Sequence, residues 1–353
     1  MRRWRGAAAV AAVVLALGAG CSGDDSRDRA EGDGGAGGGP TTTAGSEVVP
    51  SAGCEDAGAQ PQADLVESSI ESGGVSRRYL LSSPATEAGD DPLPLVLDFH
   101  GLAEGADVHA GMTQLGPLGV EEGFVTVFPH GTGQPVHWNT GTDPANPDLV
   151  YVAALLDTVE AARCIDTSRV YATGLSNGAM MTSAVACAMA DRVAAVAPIA
   201  GLTRPEPCEP SRPVPVLTVH GTADPILLFN GGIGTGVLTA ALSGGGAEAA
   251  PTTTLPPDLD GAGYPETVRQ WAEIDGCDVG SATDERVSDE VIVRTYECPE
   301  GAPVEFYIVE GGGHSWPGSE FSRSIGQIVG PTTTDIDASA EAWRFFRQFA
   351  LGS

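Results

Sequence analysis

Ser176 sits in Gly174-Leu175-Ser176-Asn177-Gly178, behind the strand-forming run Val170-Tyr171-Ala172-Thr173 and ahead of small, unbranched residues suited to a helix. A G-x-S-x-G turn between strand and helix lifts one serine hydroxyl above the sheet edge, the setting of a nucleophile elbow. A side chain at either glycine would collide with the neighbouring strand or helix. The start of the following helix offers N–H groups suited to a developing oxyanion. With 48 Gly in 353 residues the pattern alone is a weak signal. The strand before it and the helix after it give it weight.

A serine hydroxyl is a poor nucleophile at neutral pH and needs a base. With a nucleophile elbow the chain order is Ser, then acid, then His. Of His100, His109, His130, His137, His220 and His314, only His314 follows Asp224. It lies in Gly311-Gly312-Gly313-His314-Ser315-Trp316-Pro317-Gly318, a glycine-bordered loop just past the apolar run 304–309. From there an imidazole can reach back over the sheet edge. Asp224 follows the run 214–219 in His220-Gly221-Thr222-Ala223-Asp224-Pro225. Ligand sites of open α/β sheets collect at such carboxyl ends, and a carboxylate there orients an imidazole and stabilises the imidazolium. His100-Gly101-Leu102 closes the run 93–99, which puts the Leu102 N–H forward with that of Asn177 as the two oxyanion donors. His100 and His220, each before a glycine at a strand end, read as packing or hydrogen-bonding residues. Trp138 and Trp316 are candidates for lining the acyl pocket, and for Trp138 ordinary core packing is an equal reading.

The elements that must position these residues alternate. Runs 78–81, 93–99, 124–128, 193–199, 214–219, 291–296 and 304–309 read as strands, several of them apolar throughout, as buried parallel strands are. Segments 149–164, 265–274 and 338–351 read as helices. The expected fold class is α/β, a mainly parallel sheet flanked by helices. Residues 229–263, rich in Gly, Ala, Pro and Thr, read as a flexible insertion.

All 18 basic residues are Arg, which removes P-loop phosphate binding, Schiff bases and lysine bases from consideration. A net charge of −29 opposes nucleic acid and anionic membrane surfaces as partners. The N-terminus has a basic start, Met1-Arg2-Arg3-Trp4-Arg5, an apolar stretch 6–17, and then Gly18-Ala19-Gly20-Cys21. It resembles a bacterial lipoprotein signal peptide over 1–20, with Cys21 the lipidated first mature residue, although Leu17 sits four rather than three positions before the cysteine. The stretch is too short to span a membrane, so a lipid anchor at the outer face of the cell membrane is expected, with plain secretion as the alternative. Residues 21–62, polar and glycine-rich, read as a disordered linker, and 63–353 as one catalytic domain. Cys54, Cys164, Cys187, Cys208, Cys277 and Cys298 remain, an even number that implies disulfides in an exported chain. Cys277–Cys298 is favoured, because a helix end and a following strand can bring the two together; Cys187–Cys208 would leave Cys54–Cys164. None has the C-x-x-C spacing of zinc or redox sites, and neither metal nor cofactor is expected.

The blocks LVLDFHG, VYATGLSNGAMM, VLTVHGTADP and GGGHSWPG together resemble the esterase family of polyhydroxybutyrate depolymerases, feruloyl esterases and related exported lipoproteins. The resemblance runs from about residue 93 to the C-terminus. It implies an α/β-hydrolase fold, Ser176 as nucleophile, His314 as general base and Asp224 as its orienting acid. It also implies an ester substrate: a hydroxyalkanoate oligomer, a feruloyl or acetyl ester of a polysaccharide, or a small ester. Two departures stand out, the 229–263 insertion and the absence, after the closing helix, of the polymer-binding domain found in many extracellular depolymerases. An acyltransferase using the same triad, and a binding protein on a retired hydrolase scaffold, are the competing readings.

Overall fold

The computed structural model describes residues 47–55, 58–86, 90–234 and 257–352. Its centre is β3 (Leu93–Phe99), whose side chains alternate between two buried faces. Leu95, Leu97 and Phe99 enter one hydrophobic cluster, and Val96 enters the other. Near-complete apolarity is what a strand covered on both faces requires. Asp98 shares the second face and is fully buried there.

Among the described residues ten strands form one sheet in the order β1-β2-β4-β3-β5-β6-β7-β10-β9-β8. They are β1 (Ala63–Ser72), β2 (Val75–Ser83), β3, β4 (Val125–Pro129), β5 (Ile165–Leu175), β6 (Ala195–Ile199), β7 (Val216–Gly221), β8 (Asp278–Arg286), β9 (Val291–Glu297) and β10 (Val304–Val309). The middle of the sheet, from β4 through β3, β5, β6 and β7 to β10, is parallel. Both margins are antiparallel hairpins. The carboxyl ends of β3, β5, β7 and β10 therefore share one edge, and the segments after them can converge.

The helices are α1 (Ala106–Thr113), α2 (Leu115–Glu122), α3 (Pro147–Ala162), α4 (Asn177–Ala188), α5 (Tyr264–Ile274), the short α6 (Glu320–Ser324) and α7 (Gly326–Val329), and α8 (Ala338–Phe346). Met181 and Val185 of α4 pack with Tyr151, Val152 and Leu155 of α3 on one face. Phe345 and Phe346 of α8 pack with Tyr171, Leu217 and Val219 on the other. The closing helix ends at Phe346, short of the expected 351, because the chain turns there and Leu351 N–H donates to the Ser168 carbonyl. Among the described residues no helix is long and apolar enough to cross a membrane.

The folded unit begins earlier than residue 63. Val49 N–H donates to Asp166 Oδ1 at 3.0 Å, Ser51 Oγ donates to the Arg163 carbonyl at 2.9 Å, and Cys54 is bonded to Cys164. The expected linker is thus docked from residue 49 onward. The expected signal segment and Cys21 lie outside the described residues. So does most of the 229–263 insertion, 235–256, but its base is stitched: Tyr264 N–H donates to the Phe229 carbonyl, and Asn230 Nδ2 donates to the Asp258 carbonyl at 2.7 Å.

The cysteines pair as Cys54–Cys164, Cys187–Cys208 and Cys277–Cys298. The first spans 110 residues and ties the N-terminal segment to the start of β5, so it restricts the unfolded chain most. Replacing both Cys54 and Cys164 by Ser is expected to lower stability by about 2–5 kcal/mol, read from urea unfolding midpoints.

Candidate active site

Ser176 is the residue between β5 and α4, with φ 57° and ψ −118°. A non-glycine residue at positive φ is strained and persists only where its surroundings over-determine it. Here Ser176 N–H donates to the Ile199 carbonyl and the Ser176 carbonyl accepts from Met180 N–H, both at 3.0 Å. The flanking glycines admit no side chain: a Cβ on Gly178 would stand 1.9 Å from the Phe99 carbonyl oxygen, and one on Gly174 2.5 Å from the same atom. Gly178→Ala is therefore expected to cost more than about 3 kcal/mol, seen as a lowered thermal midpoint. The strand and the helix expected on either side of Ser176 are both present.

Asp224 lies just beyond β7 and is 1% exposed. Its Oδ1 accepts from the backbone N–H of Ile226 at 2.7 Å and of Leu227 at 2.9 Å. Its Oδ2 accepts from His314 Nδ1 at 2.7 Å. Burial opposes ionisation of this carboxyl, but His314, His220 and the Ile226 N–H outweigh it and hold the carboxyl below its usual range. A carboxylate only accepts, so the His314 proton sits on Nδ1 and Nε2 keeps its lone pair. The loop bearing His314 is clasped from both sides. Gly313 N–H donates to the Pro331 carbonyl and His314 N–H to the Val329 carbonyl, while Gly221 packs against Gly312 too closely for a Cβ. Among the described residues no hydrogen bond joins Ser176 Oγ to His314. Such contacts commonly tighten only when substrate is bound.

Leu102 N–H and Asn177 N–H, the two expected oxyanion donors, donate to no acceptor among the described residues. The Ser176 Cβ lies 3.7 Å from the place a Gly101 Cβ would occupy, so the two segments meet. The side chain of Asn177 is committed elsewhere: its Oδ1 accepts from Trp138 N–H at 2.8 Å and its Nδ2 donates to the Trp138 carbonyl at 3.3 Å.

His100 and His220 are both buried and hydrogen-bonded. His100 Nε2 accepts from Gly131 N–H and Nδ1 donates to the Gly101 carbonyl, and burial pushes its pKa down to about 4. His220 stacks on Tyr264, donates from Nε2 to the Leu227 carbonyl at 2.9 Å, and is likewise pushed down to about 4 by burial.

Both tryptophans expected at the acyl pocket are turned inward. Trp138 is 2% exposed, packs edge-on against Phe99 and donates its indole N–H to the His100 carbonyl. Trp316 is 1% exposed and donates to Ser339 Oγ. A cleft of about 490 Å³ lies at the other end of α4 and is lined by Leu149, Ala153, Cys187 and Met189. It contains none of the chemical groups above. No group of three or more His, Cys, Asp or Glu among the described residues is arranged to hold a metal ion.

The parallel centre, the elbow and the loops at its carboxyl edge define an α/β-hydrolase fold. An acetyl xylan esterase from Aspergillus awamori shares it, with a TM-score of 0.51 and 15% identity over 71% of this chain and 94% of that one. The family model described as Esterase PHB depolymerase matches residues 78–237. Feruloyl esterase B of Piromyces equi is 27% identical over 248 residues, and the match covers 68% of this chain but 42% of that protein. Probable feruloyl esterase C of Aspergillus terreus is 33% identical over 193 residues, 53% of this chain and 67% of that protein. The chain belongs to the polyhydroxybutyrate depolymerase and feruloyl esterase family.

Proposed function

We propose that the protein is an exported serine hydrolase of carboxylic esters, working through Ser176, His314 and Asp224. The observation that carries this reading is the buried Asp224–His314 contact of 2.7 Å, held at the sheet edge that also bears the strained Ser176. His314 Nε2 takes the Ser176 proton as Oγ attacks the ester carbonyl, and Asp224 stabilises the imidazolium that forms. The negative charge that develops on the carbonyl oxygen is met by the N–H groups of Leu102 and Asn177. The imidazolium then gives its proton to the departing alcohol, leaving an acyl group on Ser176. Water, activated by the same imidazole, releases the acid.

The named relatives favour feruloyl or acetyl esters as substrates, and the family adds hydroxyalkanoate oligomers. Three disulfides suit an oxidising compartment outside the cell. The basic and apolar start before Cys21 suits a lipid-anchored protein with residues 1–20 removed, and the catalytic domain then runs from about residue 49.

The test is covalent. Incubation with a p-nitrophenyl alkylphosphonate should release one p-nitrophenol per chain, abolish hydrolysis of p-nitrophenyl acetate, and place the phosphonyl group on the peptide containing Ser176. Full hydrolysis by protein that carries the label, or a label on another residue, would sink the proposal.

A further inference from the structure

We propose that Asp98, His109 and Glu104 form a buried relay that fixes the direction of the Leu102 N–H, and so act as positioning residues for the oxyanion loop. The inference rests on the serine-hydrolase reading and deepens it. Asp98 is on β3, Glu104 in the turn that follows, and His109 on α1, which packs over that strand. His109 Nε2 donates to Asp98 Oδ1 at 2.7 Å and Nδ1 to Glu104 Oε2 at 3.1 Å. With a carboxylate at each nitrogen the ring carries both protons. Asp98 Oδ2 is satisfied by the Thr113 hydroxyl at 2.7 Å. The side chains of His109 and Asp98 are 0% exposed and that of Glu104 10%.

The far end of the relay reaches the backbone. Glu104 Oε2 also accepts from Gly101 N–H at 2.5 Å. Two consecutive peptide planes are thereby locked. In the plane between His100 and Gly101, the carbonyl accepts from Trp138 Nε1 at 2.9 Å and the N–H donates to Glu104. In the next plane, the Gly101 carbonyl accepts from His100 Nδ1 at 2.7 Å. A trans peptide points its N–H opposite to its carbonyl, so fixing that carbonyl aims the Leu102 N–H away from His100. Of the four polar groups on these planes, only the Leu102 N–H lacks a partner among the described residues. The relay also abuts the base: Trp316, two residues from His314, packs edge-on against the His109 ring.

A buried charge set of this kind is ordinarily no gain over packed apolar side chains, so stability alone is a poor reason for it. Its geometric consequence is the fixed N–H. The charged groups facing His109 are Asp98 from β3 and Glu104 from the following turn; titratable His100 lies beyond Glu104, and Trp316 and Thr113 are neutral. Burial would lower the His109 pKa, but the two carboxylates outweigh it and hold it at about 10.

The test uses the full chain, p-nitrophenyl acetate and a Ser176→Ala control. Glu104→Ala is expected to lower kcat roughly 10- to 100-fold with KM within about threefold, the signature of an interaction made in the transition state. Glu104→Gln keeps an oxygen for Gly101 N–H and should stay within about fivefold of the parent. Asp98→Asn removes one carboxylate, so His109 deprotonates at lower pH and the alkaline fall in kcat moves toward neutrality by about one pH unit or more. A folded Glu104→Ala protein with the parent's kcat overturns the relay. Should that variant fail to fold, an unmoved alkaline limb in Asp98→Asn overturns it. An inactive Ser176→Ala beside an unimpaired Glu104→Ala defeats the relay alone, whereas a fully active Ser176→Ala defeats both readings.

Discussion

Ser176→Ala is expected to lower kcat for a short-chain p-nitrophenyl ester by roughly 10⁵- to 10⁶-fold, while the protein should melt within a few degrees of the parent. The expected loss is large because the proposed acyl-enzyme route vanishes with Oγ, leaving binding and the two proposed oxyanion donors to act on water alone. The melting temperature hardly moves because the hydroxyl bonds to no described residue, so its removal orphans nothing. The strained backbone is held by bonds of the Ser176 N–H and carbonyl, which Ala keeps. Initial rates beside a thermal melt check both halves. Activity above about a hundredth of the parent in the variant would mean that another nucleophile carries the reaction.

The elements that were legible in the sequence are those whose cause is local. A run such as Leu95-Val96-Leu97 is apolar on both faces only where both faces are covered, and Gly174 and Gly178 declare a turn that no larger residue could make. The triad candidates belong to the same class, since each follows a strand that could be read by itself. What could not be read depends on partners distant in the chain. β1 is almost wholly exposed, so its sequence, ADLVESSIES, shows no clean alternation. β8 is a polar margin strand for the same reason. α1 and α2 are short, contain Gly111, Gly116, Pro117 and Gly119, and are hinged at Gln114 with φ 54°, which hides their period. That Trp138 and Trp316 are buried could not be read from the sequence, because a large amphipathic ring near a site suits a pocket wall and a buttress equally. The one clue to the Asp98 relay was a carboxylate inside an apolar strand, a buried charge that must find partners. Nothing local in the sequence says that the partner is His109. The early docking of residues 49–54 escaped detection because it rests on a disulfide and a set of hydrogen bonds to residues 163–167 rather than on apolar burial.

Asp224→Asn should lower kcat by about 10⁴-fold with little change in stability, and the contrast with Asp224→Ala shows why. Asp224 does two jobs with two oxygens. Oδ1 closes the turn through the N–H groups of Ile226 and Leu227, and Oδ2 faces His314 Nδ1. An asparagine can leave its oxygen on the turn, so the loop holds. Its NH₂ then meets His314 Nδ1 and, being a donor, requires a lone pair there. The ring proton moves to Nε2, the atom that must accept the proton of Ser176, and the base is lost without displacement of any residue. Alanine removes both jobs, leaves two N–H groups near a buried site without their acceptor, and should lower the thermal midpoint as well as kcat. If Asp224→Asn kept more than about a tenth of the parent kcat, the carboxylate would be a turn residue only, and the 2.7 Å contact with His314 a matter of packing.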